Sequence, residues 1–177
     1  MSAKSTPQRY GNVAIAIHWA SALAIVVVFA LGLTAANTAD PAVEVNLVRG
    51  HVILAILVLL LTLLRIVWWW FADRQPAPVA GQPHWQQLAA SLVHRAIYLV
   101  ILLMAASGIG TLVLSGAGPA IIAGTVLPDF ERVPPFLVHE LTSRLMLALL
   151  GAHVLAALYH QFVRRDGLLA RMGVGRA

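Results

Sequence analysis

Four apolar stretches, each long enough to cross a bilayer, limit this chain to a membrane protein. A helix needs about 20 consecutive apolar residues to span a ~30 Å hydrocarbon core, and such runs occur near residues 12–36, 47–71, 91–115 and 136–163. Hydrophobic residues make up 60% of the chain and charged residues 11%, whereas soluble domains carry about 25% charged residues. The sequence therefore predicts a single membrane domain, 1–177, folded as an all-α transmembrane four-helix bundle.

Basic residues are distributed unevenly between the two sides of these spans. If the N-terminus is cytoplasmic, nine of the twelve lie on the inner side or at inner helix ends. Because Lys and Arg are retained in cytoplasmic loops, we expect both termini to be cytoplasmic. The inner residues are Lys4, Arg9, Arg65, Arg74, Arg95, Arg164, Arg165, Arg171 and Arg176, and the outer ones are Arg49, Arg132 and Arg144.

The remaining features narrow the class of site. Residues 72–90 are predicted to form a proline-rich cytoplasmic linker and residues 116–135 an outer loop. The basic residues lie at span ends rather than along an exposed polar face, which excludes nucleic acid as a partner. No cysteine is present, so disulfides, thiolate-bound iron–sulfur clusters and Cys-type zinc sites are excluded. A bound metal would need histidine or carboxylate ligands.

Several histidines fall inside the apolar spans. His139 and His153 are 14 residues apart on the fourth span, which places them within ~40° of one helix face and ~21 Å apart along the axis. His51 follows the outer start of the second span by about one turn, at the level of His139. His18 lies roughly 9 Å into the first span from the inner side, at the level of His153. The sequence therefore predicts two pairs across the bundle, one near each surface.

Each pair is suited to hold an iron porphyrin between two helices. Neutral imidazole nitrogens would fill both axial positions, and facing helices of a bundle commonly supply such ligands. A single intramembrane histidine can instead be a polar residue that bonds a neighbouring helix, but four in two layers favour haem binding. His94 and His160 lie within about a turn of the cytoplasmic boundary, so depth alone lets either compete as a ligand.

Five segments carry a resemblance to a known family. They are "RYGNVAIAIHWASA", "RGHVILAILVLLLTLLRIVWWW", "LVHRAIYLVILL", "VHELTSRLMLALLGAHVLAALYH" and "RRDGLLARM". Together, and in this order over nearly the whole chain, they resemble the bacterial cytochrome b561 family of four-helix, dihaem, quinone-linked membrane cytochromes. The resemblance implies two haem b groups in the bundle core and a location in the bacterial inner membrane. The axial ligands that it implies are His18, His51, His139 and His153.

The resemblance also implies a quinone site on the cytoplasmic side. His94 and His160 match family histidines near the place where ubiquinone is thought to bind. Members can carry a lysine in the linker between the second and third helices, but Lys4 is the only lysine here. Arg74 is therefore the candidate to replace it, with His84 as the alternative.

The activity implied is transfer of electrons from periplasmic superoxide through two haems to ubiquinone. Arg49 and Arg132 are candidates to attract the superoxide anion, although the outer arginines could equally pair with haem propionates or nearby glutamates. Arg144 should lie within the membrane thickness, where a charge is expensive unless paired, and a propionate of the outer haem would pair with it. Arg65 is assigned the same role at the inner haem, unless it snorkels to the interface.

Two other functions remain open. The chain could be a cytochrome b subunit that serves a protein electron-transfer partner, such as a dehydrogenase or hydrogenase. It could also be an ion transporter that uses its histidines as a relay, in which case the purified protein would be colourless.

Overall fold

The computed structural model describes residues 2–79 and 81–175, and over these residues it is helical without strands. Four helices are long and apolar enough to cross a membrane. This confirms the predicted all-α fold with four spans. Its helices are α1 (Asn12–Ala35), α2 (Pro41–Val67), α3 (His84–Ser115), the short α4 (Ala117–Ala123) and α5 (Pro134–Tyr159).

Helix α2 begins six residues before the predicted apolar run. The carboxylate of Asp40 accepts hydrogen bonds from the backbone N–H groups of Ala42 and Val43, which is the usual way to satisfy the free donors of a first turn. Pro41 occupies the first helical position, where its missing N–H costs nothing. At its other end, α2 continues into a π-helical turn, Trp68–Ala72.

Helix α3 is also longer than its apolar run, and the prediction of a linker over residues 72–90 is wrong at both ends. Residue 72 belongs to the π-helical turn, and residues 84–90 form the first turns of α3. Hydropathy alone missed these turns because their glutamines and histidine lower the average. His84, expected in the linker, is the exposed first residue of the helix. The 32 residues of α3 correspond to about 48 Å of helix, which is longer than the hydrocarbon core of a bilayer.

The predicted outer loop has structure of its own. Helix α4 lies between Gly116 and Gly124, and both glycines have positive φ, at 68° and 74°. A single 3₁₀ turn, Phe130–Arg132, precedes α5. We call this end of the bundle, with the α1–α2 connection, the loop side. The opposite end, which carries both termini and the α2–α3 linker, is the termini side.

The bundle consists of two helical hairpin-like pairs that meet along a common core. α1 packs along α2, and α3 packs along α5. The buried centre contains one or two side chains from each of the four long helices: Ala24, Val28, Val58, Val100, Ile101 and Met146. Many leucines and valines on the outside are exposed, as expected for a surface that faces lipid.

On the termini side, two polar contacts join segments that are distant in sequence. The carboxylate of Asp73 accepts hydrogen bonds from the backbone N–H and hydroxyl of Ser5 at 3.0 and 2.7 Å. The guanidinium of Arg171 donates to the carbonyls of Pro7, Gln8 and Ala77. The N-terminal arm, the linker and the C-terminal segment therefore form one layer over this end of the bundle. Arg176 lies outside the described residues.

Candidate functional site

The layer of histidines nearest the loop side contains His51 of α2 and His139 of α5. Their ring centroids are 6.1 Å apart. His51 donates its Nδ1–H to the carbonyl of Val28 at 2.9 Å, and His139 donates its Nδ1–H to the carbonyl of Met104 at 3.0 Å. Since a carbonyl can only accept, both rings are the tautomer whose Nε2 is unprotonated. Each ring thus retains a free lone pair.

The spacing of this pair fits a metal held between the two rings. An imidazole nitrogen lies about 2 Å from a metal that it binds, and the ring centre is roughly 1 Å further away, so two opposed ligands have centroids about 6 Å apart. The observed separation is 6.1 Å. A second-sphere hydrogen bond from the other ring nitrogen to a carbonyl is the arrangement normally found behind a metal-bound histidine. The two rings are therefore suited to hold a metal, such as the iron of a haem, between them.

The second layer lies towards the termini side and contains three imidazoles. The centroids of His18 and His153 are 6.2 Å apart, and those of His94 and His153 are 5.1 Å apart. Only the first distance matches the spacing of about 6 Å required for two opposed ligands. The geometry therefore favours His18 over His94 as the partner of His153.

Arg65 is the charged residue of this second layer. It donates from Nη1 to Nδ1 of His18 at 3.0 Å and lies over the ring of Tyr98. Its Nε is buried, and no partner for it is found among the described residues. A haem propionate would satisfy this donor. Because a guanidinium can only donate, Nδ1 of His18 accepts here and a neutral ring carries its proton on Nε2. To bind iron through Nε2, the ring would transfer this proton to Nδ1 and give up the contact with Arg65.

His160 lies beyond the second layer and has a partner that the sequence analysis did not identify. The residue is 7% exposed, and its Nδ1 contacts the carboxylate of Asp166. A π-helical turn, His160–Arg164, ends α5, and Arg165 then adopts a left-handed conformation with φ of 53°. This reversal brings Asp166 back onto His160. No hydrogen bond or ring contact joins His160 to His94 within the part of the chain described.

The third candidate for the quinone site lies elsewhere. Arg74 is exposed, and its backbone N–H donates to Asp73. With Ser5, Thr6 and Pro7 it lines a surface cleft between the N-terminal arm and the linker. The structure thus places His94, His160 and Arg74 on the same side of the bundle but does not bring their side chains into contact with one another.

The arginines of the loop side all have local partners. Arg49 donates from Nε to the carbonyl of Ile121 at 2.9 Å, near the C-terminal end of α4, where a cation is favoured by the helix dipole. Arg132 pairs with Asp129 at 2.8 Å on an exposed turn. Arg144 pairs with Glu140, one turn earlier on α5. A nearby glutamate is one of the two kinds of partner that the sequence predicts for the outer arginines, the other being a haem propionate.

Comparison with known proteins is consistent with this geometry. A family model described as prokaryotic cytochrome b561 matches residues 9–175. Cytochrome b561 homolog 2 of Escherichia coli K12 is 28% identical over 185 aligned positions, covering 97% of this chain and 95% of the relative. Cytochrome b562 of Cereibacter sphaeroides is 30% identical, covering 92% and 94%.

A third relative is matched over only part of its length. Cytochrome b561 homolog 1 of Escherichia coli K12 is 30% identical over 102 residues, which cover 55% of this chain and 58% of the relative. No solved structure matches the chain significantly.

Proposed function

The chain belongs to the prokaryotic cytochrome b561 family, and from this premise we propose that it oxidises superoxide and reduces ubiquinone across the bacterial inner membrane. Family membership makes it a membrane-bound b-type cytochrome that transfers electrons. The observation that carries the haem part of this proposal is the presence of two imidazole pairs at two levels of the bundle, with centroid separations of 6.1 and 6.2 Å. Two such pairs fit two haem b groups.

The protein residues would hold and orient these groups. Haem b supplies a one-electron carrier when bound. His51 and His139 would hold the group near the loop side. His18 and His153 would hold the group near the termini side, with Arg65 paired to one of its propionates. Arg144 would bind a propionate of the loop-side group in place of its contact with Glu140.

The termini side is assigned to the cytoplasm and to ubiquinone. Reduction of ubiquinone takes up two electrons and two protons, so that two superoxide anions yield two O₂ and one ubiquinol. A proton-handling group is therefore needed on this side and not on the other. His160, buried beside Asp166, meets this need because an imidazole can both donate and accept a proton. His94 and Arg74 are the other proposed quinone contacts.

The loop side is assigned to the periplasm and to superoxide. Arg49 and Arg132 are the cations proposed to attract the anion. Arg132 is paired with the carboxylate of Asp129, which reduces its field at a distance, whereas Arg49 donates to the neutral carbonyl of Ile121 and keeps its charge. Support for superoxide as donor comes mainly from the family resemblance.

The test is a reaction with purified protein and no protein partner. Superoxide should reduce the haems, as followed by their absorbance bands, and a soluble ubiquinone analogue should reoxidise them. The stoichiometry should be two superoxide anions per quinone. Haem that superoxide does not reduce, but that a dehydrogenase or hydrogenase reduces, would identify an electron-transfer subunit instead. A colourless protein with no haem would support the ion-transporter alternative.

A further inference from the structure

We propose that Gly32 and Gly108 are positioning residues that seat the two loop-side imidazoles, His51 and His139, against the backbone of a neighbouring helix. The proposal rests on the haem sites of the proposed function and deepens it. It assigns to each ring a defined support consisting of one carbonyl and one glycine, to which His139 adds the hydroxyl of Ser107, 3.3 Å from its Nδ1.

The first seat lies on α1 and receives His51 of α2. A Cβ atom added to Gly32 would lie 3.0 Å from Nδ1 and 3.1 Å from Cε1 of His51. The same Nδ1 donates to the carbonyl of Val28 at 2.9 Å. In an α-helix the carbonyl of residue i is adjacent to residue i+4, because the two are joined by the backbone hydrogen bond. Glycine at 32 therefore leaves open the space through which the ring reaches the carbonyl of residue 28.

The second seat repeats this arrangement on a different pair of helices. A Cβ atom added to Gly108 of α3 would lie 3.4 Å from both Cε1 and Nδ1 of His139 on α5. That Nδ1 donates to the carbonyl of Met104 at 3.0 Å. The carbonyl and the glycine are again four residues apart. An added methyl group would be less crowded here than at Gly32.

The layer near the termini side is supported differently. Nδ1 of His18 accepts from Arg65 instead of donating to a carbonyl, and none of the described glycines has a Cβ position within 4 Å of His18 or His153. The glycine seat is therefore specific to the loop-side pair.

The seat has a chemical consequence for each ligand. A carbonyl acceptor at Nδ1 fixes the tautomer that presents Nε2 to the metal, and it raises the basicity of that nitrogen. Loss of such a second-sphere partner commonly reduces metal affinity by about 10–100-fold. A more basic ligand also favours the oxidised iron, so loss of the seat should raise the midpoint potential of the loop-side haem.

The experiment compares Gly32→Ala and Gly108→Ala with a glycine of intermediate crowding whose added Cβ atom would meet no histidine. A Cβ atom at Gly110 would lie 3.2 Å from Pro135. Gly110→Ala therefore controls for crowding between α3 and α5. The readouts are haem per chain, the EPR spectrum of each ferric haem and the two midpoint potentials.

We expect Gly32→Ala to weaken binding of the loop-side haem by about 10–100-fold. Gly108→Ala should retain that haem with a changed EPR signal and a raised potential. Because Gly108→Ala is the milder change, it tests the seat even if Gly32→Ala fails to accumulate. The proposal is overturned if Gly108→Ala matches the wild type in all three readouts, or if Gly110→Ala alters the loop-side haem to the same degree.

These outcomes are separate from failure of the proposed function. Wild-type protein that binds two haems but does not react with superoxide or ubiquinone would refute the activity and leave the seats testable. Normal activity together with unaffected glycine variants would refute the seats alone.

Discussion

At the scale of single residues, the group that each Nδ1 contacts distinguishes the histidines of this bundle. The Nδ1 atoms of His51 and His139 donate to carbonyls, that of His18 accepts from an arginine, and that of His160 contacts a carboxylate. A hydrogen bond to a carbonyl fixes a neutral imidazole in the tautomer that can bind a metal through Nε2. A carboxylate instead supports an imidazole that gains and loses protons, as in catalytic triads.

The ligand assignment predicts a selective loss of haem. His51→Ala or His139→Ala should remove the loop-side haem and leave most of the other, since a single remaining imidazole binds iron more weakly. The pyridine haemochrome content should fall from about two haems to about one per chain. An unchanged ratio of haem to protein in either variant would refute the pairing.

The contact between His160 and Asp166 predicts a defect in quinone reduction. His160→Gln and Asp166→Asn should each slow reoxidation of the haems by a ubiquinone analogue, on the order of 100-fold for the histidine, because a positioned proton donor typically contributes that much. The absorption spectra of both haems should remain near normal. Loss of haem from His160→Gln would make this residue a ligand instead.

The positions of the histidines along the sequence predicted the two pairs. Side chains 14 residues apart on one helix share a face, and the rise per residue gives the depth of each histidine in its span. These positions could not predict partners created where the helix stops. Residue 166 of an uninterrupted helix would lie about 9 Å beyond residue 160 and ~240° around the axis, away from His160. Only the left-handed Arg165 brings Asp166 back. The role of Gly32 was similarly hidden, since it depends on how α1 and α2 pack.

At the scale of elements, polar helix ends explain where prediction of boundaries failed. The apolar windows located all four spans, but they omitted residues 41–46 of α2 and 84–90 of α3. The Asp40–Pro41 pair was a readable start signal, since an aspartate cap followed by proline is favoured at a helix N-terminus. Pro83, which directly precedes α3, was a weaker signal for the start of a helix.

The attachment of the N-terminal arm to the bundle should depend on pH. Burial alone would raise the pKa of Asp73, but hydrogen bonds from Ser5, the backbone of Arg74 and Trp68 outweigh it and hold the pKa below its usual value. A carboxyl group whose pKa is lowered by folding stabilises the folded form above its unfolded pKa of about 3.9. That stability is lost as the pH falls through the lower, folded pKa.

Because the chain has no cysteine, a spin label on Ser2→Cys can report on the arm. The label should be restrained at neutral pH and become mobile in strong acid. In an Asp73→Ala background the label should be more mobile at neutral pH than in the parent protein and should lose its response to acid, whereas Asp129→Ala on the loop side should have no effect. A label equally restrained with and without Asp73 would contradict this account.

At the scale of the whole molecule, the two sides of the bundle differ in the polar groups that they carry, as the proposed transfer of electrons from superoxide to ubiquinone requires. Each imidazole layer uses one residue of α5, and the two are ~21 Å apart along that helix. The loop side carries exposed ion pairs, whereas the termini side carries the buried contact between His160 and Asp166. An electron donor that releases no proton suits the loop side, and an electron acceptor that takes up protons suits the termini side.

The number of haem b groups bound per chain tests the central claim most directly. A pyridine haemochrome assay on purified protein, with the chain quantified by amino-acid analysis, measures this ratio. Two opposed imidazole pairs predict two haem b groups per chain. A ratio of one, or a colourless protein isolated with haem in excess, would contradict the account.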